Sequence, residues 1–90
     1  MGGKYVRASA GSDPTALSLS IYHALVEKSE VTVSAVGASA VNQAVKSIIV
    51  ARGKVATSGK DMVVRPGFKT SHGGHENDEI SVVIFRCRTI

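Results

Sequence analysis

The stretch from Gly37 to Gly53 constrains the fold of this chain more than any other. Its apolar residues recur at i, i+3, i+4 and i+7, namely Val41, Ala44, Val45 and Ile48. This spacing forms one apolar stripe and predicts a buried helix. Gly53 is predicted to follow the end of that helix, because glycine adopts the left-handed conformation of a helix C-terminus at low cost.

Polar side chains on the other side of this helix suit contact with phosphate. Asn42 and Lys46 are four residues apart, so they are neighbours on the helix surface. Arg52 falls in the last predicted turn, where a cation complements the helix dipole. Gln43 adds a second amide beside Asn42. Buried amides also bond neighbouring elements or subunits, so a structural role for the amide pair stays open.

Positive charge is concentrated in one segment of the sequence. The chain carries a net charge of +4, and six of its eleven lysine and arginine residues fall at positions 42–69, where Asp61 is the single acid. Such a cluster suits a polyanionic partner, DNA or RNA. The alternative is that these charged residues form a solvated surface without a partner. The predicted nucleic-acid contacts are Asn42, Gln43, Lys46, Arg52, Lys54, Lys60, Arg65 and Lys69. The few aromatic residues, two Tyr and two Phe, favour contact with a duplex or structured nucleic acid over base stacking.

Strand and helix signals alternate along the rest of the chain. Strands are predicted over 4–9, 31–36, 61–65 and 79–88, with a polar loop over 68–78. Another helix is predicted over 14–28, because Asp13 is a suitable N-cap and Pro14 a suitable first helical residue. The order β-α-β-α-β-β predicts a single α/β domain over residues 1–90, with a mixed four-stranded sheet and two helices on one face.

The first helix is apolar on two sides. Its core stripe is predicted to be Leu17, Ile21, Ala24 and Leu25. A second set points the other way, namely Leu19, Tyr22 and Val26. Ninety residues leave little material to cover that second side, so it predicts a homo-oligomer interface. Partial exposure to solvent is the alternative.

No set of side chains predicts catalysis or a bound cofactor. The nucleotide-binding glycine motifs are absent from the sequence. His72-Gly-Gly-His75, followed by Glu76 and Asp78, resembles an incomplete metal site and fits a polar hairpin tip better. We therefore predict a protein that is not an enzyme, with no catalytic residue, no metal site and no cofactor.

The single cysteine and the N-terminus bear on the compartment. Cys87 has no second cysteine to pair with, and residues 1–30 show no secretory leader. No apolar run approaches the length of a membrane span. These features predict an intracellular protein, cytoplasmic or nucleoid-associated or nuclear, without a membrane partner.

Residues 37–46, Gly-Ala-Ser-Ala-Val-Asn-Gln-Ala-Val-Lys, and residues 49–53, Ile-Val-Ala-Arg-Gly, resemble the signature of the stage V sporulation protein S family. That family is similar to the Alba-like nucleic-acid-binding superfamily. The resemblance extends over about residues 4–88. It implies a two-layer Alba-like sandwich, a homodimer or higher oligomer, and a small regulator of sporulation or development that binds nucleic acid.

Alba-like proteins grip nucleic acid with a body surface and two β-hairpins. The resemblance implies that the hairpin here spans residues 66–79, with Arg65 and Lys69 as its basic members. A homo-oligomeric protein-interaction or scaffold module, without direct nucleic-acid binding, is the alternative function.

Overall fold

A computed structural model of the protein describes the backbone of residues 4–72 and 79–90 and the side chains of residues 4–70 and 80–90. Its elements are β1 (Lys4–Ala8), α1 (Pro14–Lys28), β2 (Glu30–Ala35), α2 (Ala38–Ala56), β3 (Met62–His72) and β4 (Glu79–Thr89). The strand order in the sheet is β1-β2-β4-β3. β1 and β2 are parallel, and the other two pairs are antiparallel. The predicted element order, mixed sheet and pair of helices on one face are confirmed.

The ends of α1 agree with the sequence signals. Asp13 is the N-cap, and its Oδ1 accepts a hydrogen bond from the backbone N–H of Thr15 at 3.3 Å. The helix stops at Ser29, which adopts the left-handed conformation and donates its N–H to the carbonyl of Leu25. These caps satisfy backbone groups that a helix end otherwise leaves unpaired. The predicted core stripe of α1 is buried.

The second helix is longer than predicted. It continues through Gly53 to Ala56, so Gly53 is an interior residue and Lys54 belongs to the helix. Val55, in the last turn, is buried in the core, and this burial favours another helical turn beyond the glycine. The left-handed glycine comes later, at Gly59, which has a φ of 78°.

The buried stripe of α2 also differs from the predicted one. Val45 is exposed and Val41 is only half-buried. The helix instead buries a stripe of mainly small residues, namely Ala40, Ala44, Ser47, Ile48, Ala51 and Val55. Small side chains let α2 approach α1 and the sheet closely, so packing selects them over the larger valines. Ser47 is accommodated because its hydroxyl donates to the carbonyl of Gln43 at 2.7 Å.

The third strand passes the position at which we predicted its end. It continues through Pro66 to His72, so Phe68 and Lys69 lie on a strand and not in a loop. β3 is an edge strand, bonded to β4 alone in the sheet. An edge strand tolerates proline because half of its backbone N–H groups face away from the sheet. The longer strand gives β3 and β4 eleven residues each.

Candidate nucleic-acid interface

The strand register divides the sheet side chains between two faces. Directly opposed residues share a face, and Val31 opposes Cys87, which in turn opposes Val64. Because Val31 and Cys87 are buried in the helix-packed core, this set faces the helices. The alternate set, which includes Thr32, lies on the opposite side. We call that side the open face.

The eight predicted nucleic-acid contacts do not form one surface. The exposed Asn42 and Lys46 and the half-buried Lys54 belong to α2, in the helix layer. Lys60 lies in the exposed connection that leads to β3. Arg65 and Lys69, both on β3, lie on the open face, as their register with β4 shows. Any ligand that touches both groups therefore has to pass around an edge of the sheet.

Two members of the predicted set already hold protein partners. The Nε2 amide of Gln43 donates to the backbone carbonyl of Ser12 at 2.8 Å and ties α2 to the loop after β1. The Nε of Arg52 donates to Oδ1 of Asp61 at 2.9 Å, and its Nη2 lies 3.4 Å from Oδ2. This contact lowers the pKa of Asp61, assisted by the backbone N–H of Met62, and raises the pKa of Arg52. A phosphate at Arg52 would compete with this ion pair.

The open face carries a row of four polar side chains across all four strands. Tyr5 opposes Thr32, Thr32 opposes Arg86, and Arg86 opposes Arg65. We call these four residues the cross-strand row. It brings a phenol, a hydroxyl and two guanidinium groups to one line on the sheet, and such groups bind phosphate and sugar oxygens.

Further charged residues lie on either side of the cross-strand row. On one side, Arg88 opposes Val63 on β3 and Glu30 on β2. On the other side, Arg7 opposes Ser34. Together with Arg65, Arg86 and Lys69, these residues give the open face five cations and one carboxylate among the described side chains.

Sequence reasoning missed most of this surface. Arg7, Arg86 and Arg88 were outside the predicted set, because the charge was counted along the chain and not across the sheet. Arg86 and Arg88 are two residues apart on a strand, so their common face could have been deduced from the sequence. Their proximity to Arg65 depends on the hairpin register, which only the structure supplies.

A long-range contact spans the open face. The Nζ of Lys69, on β3, lies 5.7 Å from the centre of the Tyr5 ring, on β1. These are the two outer strands, with axes roughly 14 Å apart at ordinary strand spacing. The two long side chains therefore reach toward each other across the open face. Ser34 and Ile84, on the inner strands of this face, are only 5% and 8% exposed although the helices lie on the other side.

Two hollows flank this contact, and Tyr5 lines both. The larger has a volume of about 820 Å³ and the smaller about 410 Å³. Side chains of the open face that line the larger hollow are Tyr5, Glu30, Thr32, Val63, Arg65, Arg86 and Arg88. Its size falls in the range of small-molecule sites, and its charge suits an anionic ligand.

The chain carries eleven lysine and arginine residues and seven acidic ones, a net charge of +4. Four of the acidic side chains belong to the described part, namely Asp13, Glu27, Glu30 and Asp61. One of these acids is in the Arg52 ion pair and another, Glu27, bonds Lys4 at 2.5 Å.

The predicted oligomer interface is only partly exposed. Leu19 and Val26 are exposed on α1, whereas Tyr22 is half-buried against the core. Comparable apolar exposure occurs elsewhere on the helix side of the molecule. Ile49 of α2 is 63% exposed and Phe68 of β3 is 78% exposed, whereas Val26 of the predicted interface is 67% exposed.

Reactive and metal-binding groups are few in the described residues. Burial raises the pKa of the Cys87 thiol to about 11, so it stays protonated and unreactive near neutral pH. The part of the chain that the structure describes holds no group of three or more His, Cys, Asp or Glu residues arranged for a metal. The side chains of the His72-Gly-Gly-His75 loop lie outside that part. No helix among the described residues is long and apolar enough to cross a membrane.

The element order, the sheet order and the two helices on one face define an Alba-like α/β sandwich. Alba from Thermoplasma volcanium superposes with a TM-score of 0.63 over 93% of this chain and 98% of that one. At 13% sequence identity, this similarity shows the fold alone. The sequence profile of stage V sporulation protein S matches residues 4–89. The chain therefore belongs to the stage V sporulation protein S family, as the second-helix signature predicted.

Proposed function

We propose that this protein binds nucleic acid, DNA or RNA, without enzymatic activity and acts as a small regulator. The observation that carries the proposal is the cationic open face, whose described side chains include five lysine and arginine residues and one carboxylate. A polyanion releases condensed counterions when such side chains neutralise its phosphates, and this release drives binding. The name of the family supports a role in sporulation. An intracellular location fits that role.

The two basic surfaces make different contributions to the proposed binding. The open face holds five cations among its described side chains and contains two hollows, so it can enclose part of a ligand. The α2 surface offers Lys46, Lys54 and Asn42, which suit contact with a passing phosphate backbone. Arg52 adds to the α2 surface only when it leaves Asp61.

Salt dependence provides the direct test. Labelled single-stranded DNA, duplex DNA and structured RNA are titrated with the protein at several salt concentrations. Three or more phosphate contacts predict a log–log slope with a magnitude of about 2 or greater. Absence of binding to all three probes at low salt would refute the proposal. Binding that is insensitive to salt would refute its electrostatic basis.

The α2 surface can be tested separately. The double variant Lys46→Ala and Arg52→Ala is expected to weaken binding and to reduce the salt slope, because it removes two cations from one helix. Lys28→Ala, on the exposed end of α1, is the matched control for loss of a cation elsewhere. Unchanged binding of the double variant across salt would remove α2 from the site.

A homo-oligomeric interaction module is the second candidate function, and a homodimer is also compatible with the first. Exposed apolar side chains on the helix side favour it, among them Val26, Ile49 and Phe68. Burying such side chains against a second copy removes apolar area from water and stabilises a small domain.

Sedimentation at several protein concentrations tests oligomerisation. Ile49→Asp tests the exposed apolar surface of α2, and Val26→Asp tests the interface predicted from the sequence. We expect an oligomer for the unmodified protein and dissociation in the Ile49 variant. A monomer at tens of micromolar, a rough range for weak association, would contradict the proposal. Dissociation in the Val26 variant alone would restore the α1 interface.

A further inference from the structure

We propose that the larger hollow of the open face binds an unpaired stretch of nucleic acid, with Tyr5 stacking on a base and the Arg65–Arg86 pair binding the adjoining phosphate. This inference rests on the proposed function and assigns it a site and a substrate class. It departs from the sequence-based expectation of a duplex, because the structure places the aromatic ring and the cations together.

Tyr5 carries the only aromatic ring on the open face among the described side chains. Tyr22 belongs to α1, and Phe68 and Phe85 oppose residues of the helix side. Tyr5 alone lies in the cross-strand row, and it remains 56% exposed despite its contact with Lys69. An exposed ring beside cations is the usual platform for a base of a single strand.

Two positively charged residues oppose each other directly on the open face. They are Arg65 on β3 and Arg86 on β4. Opposed like charges destabilise a strand pair. An anion between them reverses the sign of that interaction, because each guanidinium can then donate to a phosphate oxygen. Thr32, next in the row, adds a hydroxyl that can bond the same group or a sugar oxygen.

The shape of the open face also favours a single strand. Its larger hollow, of about 820 Å³, is lined by Tyr5, Arg65 and Arg86. A single strand fits a hollow of this kind and turns the face of a base toward a ring. A duplex presents base edges within its grooves and keeps base faces stacked, so it offers nothing for Tyr5 to stack upon.

Tyrosine fluorescence gives a direct readout, since the protein has no tryptophan. The Tyr22→Phe variant leaves Tyr5 as the sole tyrosine. We titrate it with single strands of about 12 thymidines or uridines, a length within known single-strand site sizes, and with a duplex of equal length. We expect both single strands to quench Tyr5 emission and to bind more tightly than the duplex.

Substitutions then separate stacking from charge. In the unmodified protein, Tyr5→Ala is expected to weaken single-strand binding roughly 5- to 150-fold, whereas Tyr5→Phe keeps the ring and binds nearly as well as Tyr5. Arg65→Ala and Arg86→Ala are each expected to lower the salt slope by about 0.7 per lost phosphate contact. Lys28→Ala removes the same charge away from the hollow. Circular dichroism verifies that each variant is folded.

The outcomes distinguish this inference from the proposed function. Binding that prefers duplex, or that survives Tyr5→Ala and the two arginine variants, overturns the inference and leaves nucleic-acid binding in place. In that case the α2 variants identify the site. Failure of the unmodified protein to bind any of the probes overturns the proposed function itself.

Discussion

The two faces of the single sheet differ in what covers them. On the helix side, α1 and α2 bury Val31, Val33 and Ala35 of β2 almost completely. On the open face, Ser34 and Ile84 are only 5% and 8% exposed, although both helices lie on the other side of the sheet. The long side chains of Lys69 and Tyr5 line a hollow together with Ser34 on that face.

The difference shows how a ninety-residue chain can separate stability from binding. The helix side is closely packed and apolar, so its contribution is hydrophobic burial. The open face is cationic and holds two hollows, and its opposed charges reduce stability unless an anion is present. Substitutions on the helix side should therefore change folding, and substitutions on the open face should change binding.

The largest effect is expected for Ile21→Ala, in the centre of the helix-side core. Ile21 is fully buried, and its truncation leaves a cavity. We expect a loss of about 2–5 kcal/mol in unfolding free energy, measured by urea denaturation. Leu19→Ala on the same helix is the matched control, because Leu19 is exposed. Equal losses for both variants would mean that α1 is covered on both sides by a partner.

The next effect concerns the amide pair on α2. Gln43→Ala removes the hydrogen bond to the carbonyl of Ser12 and is expected to cost about 1 kcal/mol. Asn42→Ala, at the neighbouring exposed position, is expected to change stability by less than about 0.5 kcal/mol. The two losses of stability are compared through the midpoints of urea denaturation of the two variants. A larger loss for Asn42 would assign the structural role to the other amide.

Much of the fold could be predicted because its signals are local. Asp13-Pro14 marks the start of α1, and the strand and helix periods give the correct element order. Ala44 and Ile48 of the predicted α2 stripe are buried, but Val41 and Val45 were predicted wrongly, because periodicity cannot tell whether a helix packs through valines or through alanines. Close approach to α1 decided this, and that approach is a tertiary property.

The candidate site was harder to predict than the fold for a similar reason. The cations of residues 42–69 are close in sequence, yet helix and sheet place them on opposite sides of the molecule. Arg86 comes to oppose Arg65 only through the hairpin register. That register continues through Pro66, and the edge position of β3 that permits the proline is visible only in the assembled sheet.

A smaller effect, with the opposite sign to the first two, is expected for the arginine pair. Arg65→Gln and Arg86→Gln each relieve the like-charge opposition and should raise the unfolding free energy by ~0.2–1 kcal/mol at low salt. The same variants should weaken nucleic-acid binding. Thermal unfolding at low and high salt checks the first point, because screening should diminish the gain. A loss of stability in both variants would show that the pair has a structural role.

The smallest effect is expected from the exposed ion pairs of the helix layer. Lys4 lowers the pKa of Glu27, and Arg52 lowers the pKa of Asp61. A carboxylate with a lowered folded-state pKa stabilises the fold above its ordinary pKa, and this contribution disappears as pH falls through the folded-state value. Thermal midpoints should therefore decline modestly from about pH 5 to below pH 3.

The variant Asp61→Asn shows how much of the acid-induced decline in thermal midpoint comes from the Arg52–Asp61 ion pair. It should lower the midpoint slightly at neutral pH and flatten the acid dependence, whereas Arg86→Gln on the open face should leave the acid dependence unchanged. Both carboxylates are fully exposed, so added salt should shrink the effect. A steep decline that persists in Asp61→Asn at high salt would place the acid-sensitive group elsewhere. Glu30, opposite Arg88 on the open face, would then be the first residue to test, and the electrostatics of that face would contribute to stability as well as to binding.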